Sequence, residues 1–254
     1  MNTNPQTIFS DLIGQIRDMH RKTCIRPFDL ARAKRDAEKL LKTHAPHQGY
    51  LCLAELAVFE DAPLQTRLKS VEEYLNKASR LPHDTHNYYI TYCNCLVRLG
   101  ERKSAYSVLD KYVDILEDNI EALRGCFEYT RFTGQISLSE KVINKLNKLG
   151  KDMTKEAEEI KRIKTIIDES YLKELLVYAG EVLRSYSLIN DGLNLDCSYA
   201  EDEIFYELTV LADSDEDKVA SCDIELSRLK IKFAREKGIN LSRFVLGCAV
   251  RDRN

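Results

Sequence analysis

The sequence predicts a mainly α chain. An α-solenoid of antiparallel helix pairs is expected over residues 1–168, followed by a small α+β module over residues 169–254 in the order α-β-β-α-β. Three observations predict this. Glycine (10) and proline (5) are scarce, and apolar residues in most of the first 190 positions recur at helical spacing. A pattern repeats at a step of 34, aligning LGERKSAYSVLDKYV around Gly100 with TGQISLSEKVINKLN around Gly134. Beyond residue 190 the apolar period changes to two.

The elements follow in chain order. Residues 29–43, DLARAKRDAEKLLKT, read as the second helix of an early unit. The unit near 47–82 is degenerate, with Thr66 where the repeat wants its turn glycine and Pro63 starting its second helix early. The units 86–119 and 120–153 are the best formed. Small residues recur at Ala37, Ala105 and Ser139, with Val71 in the remaining slot, and aliphatic residues recur at Leu41, Leu75, Leu109 and Ile143. The small residue opens the second helix where the first packs closely, and the glycine makes the turn. One such unit cannot bury its apolar face alone, so units stack.

These residues resemble the tetratricopeptide repeat (TPR) family over roughly residues 8–150. Tyr89, Tyr92, Cys93, Leu96, Gly100, Ala105 and Leu109 fall on its signature positions in one unit. Leu123, Cys126, Gly134, Ser139, Ile143 and Leu146 do so in the next. The resemblance implies a groove lined by the first helices of the units. Carried over by position, its partner-binding residues are Asn87, Ile90, Asn94, Val97 and Arg98, then Glu121, Arg124, Glu128, Arg131 and Phe132. Ile90 and Gly125 stand where the family's carboxylate clamp would place polar groups.

Past residue 150, Ala157, Ile160, Ile163 and Ile167 mark one more amphipathic helix, and residues 172–186 another. Asn190-Asp191-Gly192 signals a turn. Leu193, Leu195, Cys197 and Tyr199, then Ile204, Tyr206, Leu208 and Val210, alternate as a β-hairpin. Ser214 with Asp217 forms a capping box for a helix that Gly238 ends, and Leu241–Val250 is the last strand.

The chemistry-bearing motifs have structural explanations. Cys93 and Cys95 lie about 200° apart around a helix, so they cannot converge on one metal ion. His44 and His47 flank Pro46 in an expected loop. Asp213–Asp217 lacks the glycine and glutamate of a calcium loop, having Lys218 and Ile224 there. Ser227 and Lys230 match S-x-x-K, and Arg80 and His86 match a ribonuclease spacing, without supporting context. No enzyme activity, cofactor or metal is expected.

A net charge of −3 provides no field for nucleic acid or an anionic membrane. No apolar run approaches the roughly 18 residues of a membrane span. The first residues, MNTNPQTIFSDLIGQ, do not read as a signal peptide. The eight cysteines read as reduced thiols of a cytoplasmic protein. The expected function is a non-enzymatic adaptor or scaffold that binds one or more proteins through its groove, with the C-terminal module as a second docking or dimerisation surface. The first alternative is an antitoxin-like or immunity-like subunit that neutralises an effector. The second is a nucleic-acid-binding subunit using Arg17–Lys42, which carries nine Lys or Arg. Residues 196–225 are the converse, with Lys218 their only cation.

Overall fold

A computed structural model describes residues 5–21, 25–116, 118–198, 203–210 and 214–250. Among them are eleven helices and three strands, and the chain is mainly helical. The first eight helices are α1 (Pro5–Arg21), α2 (Pro27–Leu40), α3 (Pro46–Ala57), α4 (Leu64–Ser79), α5 (Thr85–Arg98), α6 (Arg102–Ile115), α7 (Ile120–Thr133) and α8 (Ile136–Lys148). Then come α9 (Thr154–Ile166), α10 (Glu169–Ser185), β1 (Asn190–Ser198), β2 (Glu203–Val210), α11 (Glu216–Lys237) and β3 (Phe244–Val250).

The helix boundaries follow local chemistry. Pro27 and Pro46 occupy first-turn positions, where no amide donor is needed. Asp84, Asn119 and Asp168 cap α5, α7 and α10 by accepting hydrogen bonds from first-turn amides. Gly100 and Gly134 adopt left-handed backbone at equivalent turns, φ 75° and 71°. At each turn the next amide reaches back to a carbonyl in the preceding helix, Glu101 to Leu96 and Gln135 to Thr130. Ser187 (φ 58°) makes the same cap after α10 without glycine.

Two details of the degenerate unit differ from expectation. Pro63 does precede α4, but Thr66 lies inside that helix and the turn falls earlier, at residues 58–63. His47 is half-buried within α3, not in a loop. Burial and nearby His83 lower its pKa.

The 34-residue series is a burial series. Ala37, Val71, Ala105 and Ser139 are all fully buried. From α1 to α9 each helix packs on the next, and α1 also contacts α3, α3 contacts α5, and α5 contacts α7. Three apolar clusters result, one centred on α1–α3, one on α3–α5, and a large one beginning at Cys93. The large cluster runs past residues 168 and 169 without a break and ends at Cys248. Cys93 belongs to it, whereas Cys95 packs with Leu51 and Leu99 in another. Burial raises both thiols well above their ordinary range. All six cysteines described as free are buried.

The sheet has the order β1-β2-β3, with β1 antiparallel and β3 parallel to β2. Parallel strands need a crossover, and α11 supplies it. Asn190-Asp191-Gly192 is not a free turn. It starts β1, with a register shift between Asn190 and Gly192. Asp215, one residue after the expected Ser214, caps α11 by accepting from the Asp217 and Lys218 amides. Gly238 ends α11 as expected, and the last strand starts at Phe244, later than Leu241. Lys22, Cys24, Tyr199 and Asp213 lie outside the described residues, as do the side chains of Arg21, Leu193 and Cys197.

β3 would be an open edge, a liability for pairing with other chains. α11 covers it with side chains seven residues apart. Asp223 Oδ1 accepts from the Cys248 amide at 2.8 Å, and Lys230 Nζ donates to the Phe244 carbonyl at 2.9 Å. Lys230, the lysine of the S-x-x-K match, therefore has a structural partner. No helix among the described residues is long and apolar enough to cross a membrane.

Candidate functional site

Helices α1, α3, α5 and α7 frame a cavity of about 300 Å³. α1 contributes Phe9, Ile13, Ile16 and Arg17, and α3 contributes Leu51, Cys52 and Glu55. α5 provides Asn87, Ile90, Thr91, Asn94 and Arg98, and α7 provides Tyr129. The α5 positions 87, 90/91, 94 and 98 are spaced three and four apart, which is one helical face. The opposite face holds Leu96, with Tyr89 and Cys93 beside it, against the large core.

A polar row crosses this cavity. Arg98 Nε donates to Asn94 Oδ1 at 2.8 Å, and Asn94 Nδ2 reaches Glu55 Oε1 at 3.5 Å. The row fixes the Asn94 amide orientation and joins α5 to α3. Burial, reinforced by Glu55, raises the Tyr129 phenol above its ordinary range, so at neutral pH it is an O–H donor. Burial and Glu55 likewise hold Cys52 as a protonated, unreactive thiol. The cavity thus combines apolar walls with oriented polar groups, a composition suited to recognition.

The expected partner-binding residues do not all gather here. Asn87, Ile90, Asn94 and Arg98 line the cavity. Val97 does not. It is only 6% exposed and packs in the large core, because α5 is covered on more than one side. Glu121, Arg124 and Glu128 are exposed on α7 outside the cavity lining. Arg131 is committed to structure. It pairs with Glu128 at 3.2 Å and with Glu159 of α9 at 2.8 Å, and lies over the Phe127 ring. Its carbonyl accepts from the Tyr206 hydroxyl. Phe132 is half-buried against Tyr129, and its carbonyl accepts from Arg102 Nη1.

Sequence reasoning missed the α1 and α3 walls. Pro46 opens α3 and Thr85 opens α5, a step of 39 and not 34, so a strict repeat step misassigns Leu51 and Glu55. The signal for α1 was present as the spacing of Phe9, Ile13 and Ile16. Two histidines beside α5 have partners, His86 the Tyr112 hydroxyl and His83 the Leu81 carbonyl at 2.7 Å. Among the described residues, no group of three or more His, Cys, Asp or Glu is placed to hold a metal ion.

Comparisons of the chain with protein-family models, with curated proteins and with solved structures found no match.

Proposed function

We propose that this chain is a non-enzymatic, protein-binding adaptor built as a TPR-like solenoid, with a partner segment seated in the cavity of α1, α3, α5 and α7. The observation that carries this reading is the convergence of Asn87, Ile90, Asn94 and Arg98 on one concave face. The stacking of α1 on α3, α3 on α5 and α5 on α7, with left-handed glycines at equivalent turns, supports the solenoid. Extended or helical peptides bind such faces through apolar anchors whose polar ends are fixed by oriented side chains. Ile90 is the anchor, and the Arg98–Asn94–Glu55 row supplies the polar contacts. The buried free thiols support a reducing, cytoplasmic setting. The C-terminal module, exposed on α11, is a second docking surface.

The test is native co-purification with the wild type, Ile90→Glu and a control, Lys103→Glu, on the exposed face of α6. A stoichiometric protein recovered with wild type and control but lost with Ile90→Glu supports the groove. Equal recovery with all three overturns it.

A further inference from the structure

Two helices leave apolar and charged stripes uncovered. On α2, Phe28 is 69% exposed, and Arg32, Arg35, Lys39 and Lys42 follow at steps of four, three, four and three. These positions form one face, running just past the helix end. On α11, Asp217, Ile224 and Ile231 repeat every seven residues, and the two isoleucines are 52% and 56% exposed. Isolated exposed apolar residues need no explanation, but aligned ones joined to a charge stripe mark a contact surface.

The stripes are complementary in length and order. Phe28 to Lys42 and Ile231 back to Asp217 each span about 21 Å at a rise of 1.5 Å per residue. Laid antiparallel, Phe28 meets Ile231, Arg35 lies beside Ile224 and Glu225, and Lys42 reaches Asp217 and Glu216. Laid parallel, the phenyl ring would meet Asp217. Both helices also start beside one cleft, lined by Ile25 before α2 and by Ser214, Asp215 and Lys218 at the start of α11. Each copy therefore presents both stripes from neighbouring starting points, so a two-fold pair can form the contact twice.

We propose that α2 of one copy packs antiparallel on the Asp217–Ile224–Ile231 face of α11 in a second copy of this chain. The proposal identifies the partner of the second docking surface and leaves the groove free. The α2 cations alone would also suit a nucleic-acid backbone. The exposed phenyl ring, the two exposed isoleucines of α11 and the acidic first turn of that helix at Glu216 and Asp217 favour self-association.

The test measures the mass of the full chain by sedimentation velocity at about 50 mM and about 500 mM salt, conditions that differ strongly in charge screening. The wild type should reach twice the monomer mass at low salt and dissociate more at high salt. Phe28→Ser and Ile231→Ser should each weaken the pair about ten-fold or more. Lys42→Glu should weaken it, and Lys42→Glu combined with Asp217→Lys should restore it. A wild type that stays monomeric at every concentration overturns the proposal. So does a dimer indifferent to Ile231→Ser, or a charge swap that fails to restore mass. Arg35→Glu abolishing the binding of a labelled oligonucleotide, with mass unchanged, would assign the α2 stripe to nucleic acid instead. Circular dichroism on each variant separates loss of pairing from loss of fold. None of these residues lines the groove, so failure here leaves the groove reading standing, and the reverse holds too.

Discussion

Replacing Gly180 with alanine should destabilise the protein, although alanine is the better helix former. In an ordinary exposed helix the change gains about 1 kcal/mol. Here a Cβ on Gly180 would sit 2.6 Å from the Gly100 carbonyl oxygen. The clash is backbone against side-chain root, so no flexible group can swing aside. Gly100 cannot retreat easily, because its own left-handed turn sits against the Gly180 carbonyl. The same Gly100 oxygen accepts from Arg184 Nη1 at 2.6 Å, and Arg184 also pairs with Glu101 at 3.1 Å. Pushing α10 away from the α5–α6 turn therefore weakens a charge-assisted hydrogen bond as well. Overpacking costs about 1–3 kcal/mol, and the bond about 1.5–3 kcal/mol. Set against the helix-propensity gain, the net loss is about 3 kcal/mol. With a urea m-value of about 3 kcal/mol/M, the midpoint should fall by about 1 M. Urea unfolding followed by far-UV circular dichroism reads this. The control is Gly14→Ala on the exposed side of α1, where nothing lies within 4 Å, and it should be neutral or slightly stabilising. A Gly180→Ala midpoint equal to or above wild type would refute the reasoning, and with it the close docking of α10 on the α5–α6 turn.

Three further outcomes are expected. Arg102 is 1% exposed and donates to the Phe132 carbonyl at 2.7 Å, while its Nε and Nη2 have no hydrogen-bond partner among the described residues. Burial lowers its pKa. Arg102→Met should stay within about 1 kcal/mol of wild type in urea unfolding, since relief of desolvation offsets the lost bond. A loss above about 3 kcal/mol would contradict this. Asp223→Ala combined with Lys230→Ala uncovers the β3 edge, so light scattering should show concentration-dependent aggregation that the wild type lacks. Asp168 caps α10, and hydrogen bonds from the Ser170 side chain and amide hold its carboxyl below the ordinary range. Its folded pKa is depressed, so its contribution is present above the unfolded value of about 3.9 and is lost as pH falls through the folded value. The melting-temperature gap between wild type and Asp168→Asn should therefore shrink from neutral pH to strongly acidic pH. A constant gap would rule that charge contribution out.

The parts of the fold legible in the sequence were those set by close local packing. Ala37, Ala105 and Ser139 could be aligned because a helix crossing tolerates only small side chains there, and Gly100 and Gly134 because their backbone is left-handed. The β2–α11–β3 order followed from a change of apolar period. Features set by distant partners were hidden. Nothing near Arg131 in sequence announces Glu159, 28 residues away, yet that pair removes Arg131 from the free groove residues. Val97 occupies a groove position by register, but neighbouring helices enclose it. Glu55 was not named for the groove, because the turn at 58–63 and the early start of α4 lengthen this stretch while the core register of Val71 and Leu75 is kept, so a step of 34 does not align it with Asn94. Ser214 and Asp215 are both good capping residues, and only the backbone geometry chooses between them.

Site-directed photocrosslinking tests the central claim most directly. The photoreactive residue p-benzoylphenylalanine would replace Asn87 at the cavity in one sample and Lys103 on exposed α6 in another. After irradiation in extract, mass spectrometry identifies covalent protein adducts of each. A partner seated in the groove yields one dominant adduct from position 87, absent from position 103 and suppressed by adding Ile90→Glu. Adducts of equal yield from both positions, or a dominant adduct from position 103 alone, would contradict a groove-binding adaptor.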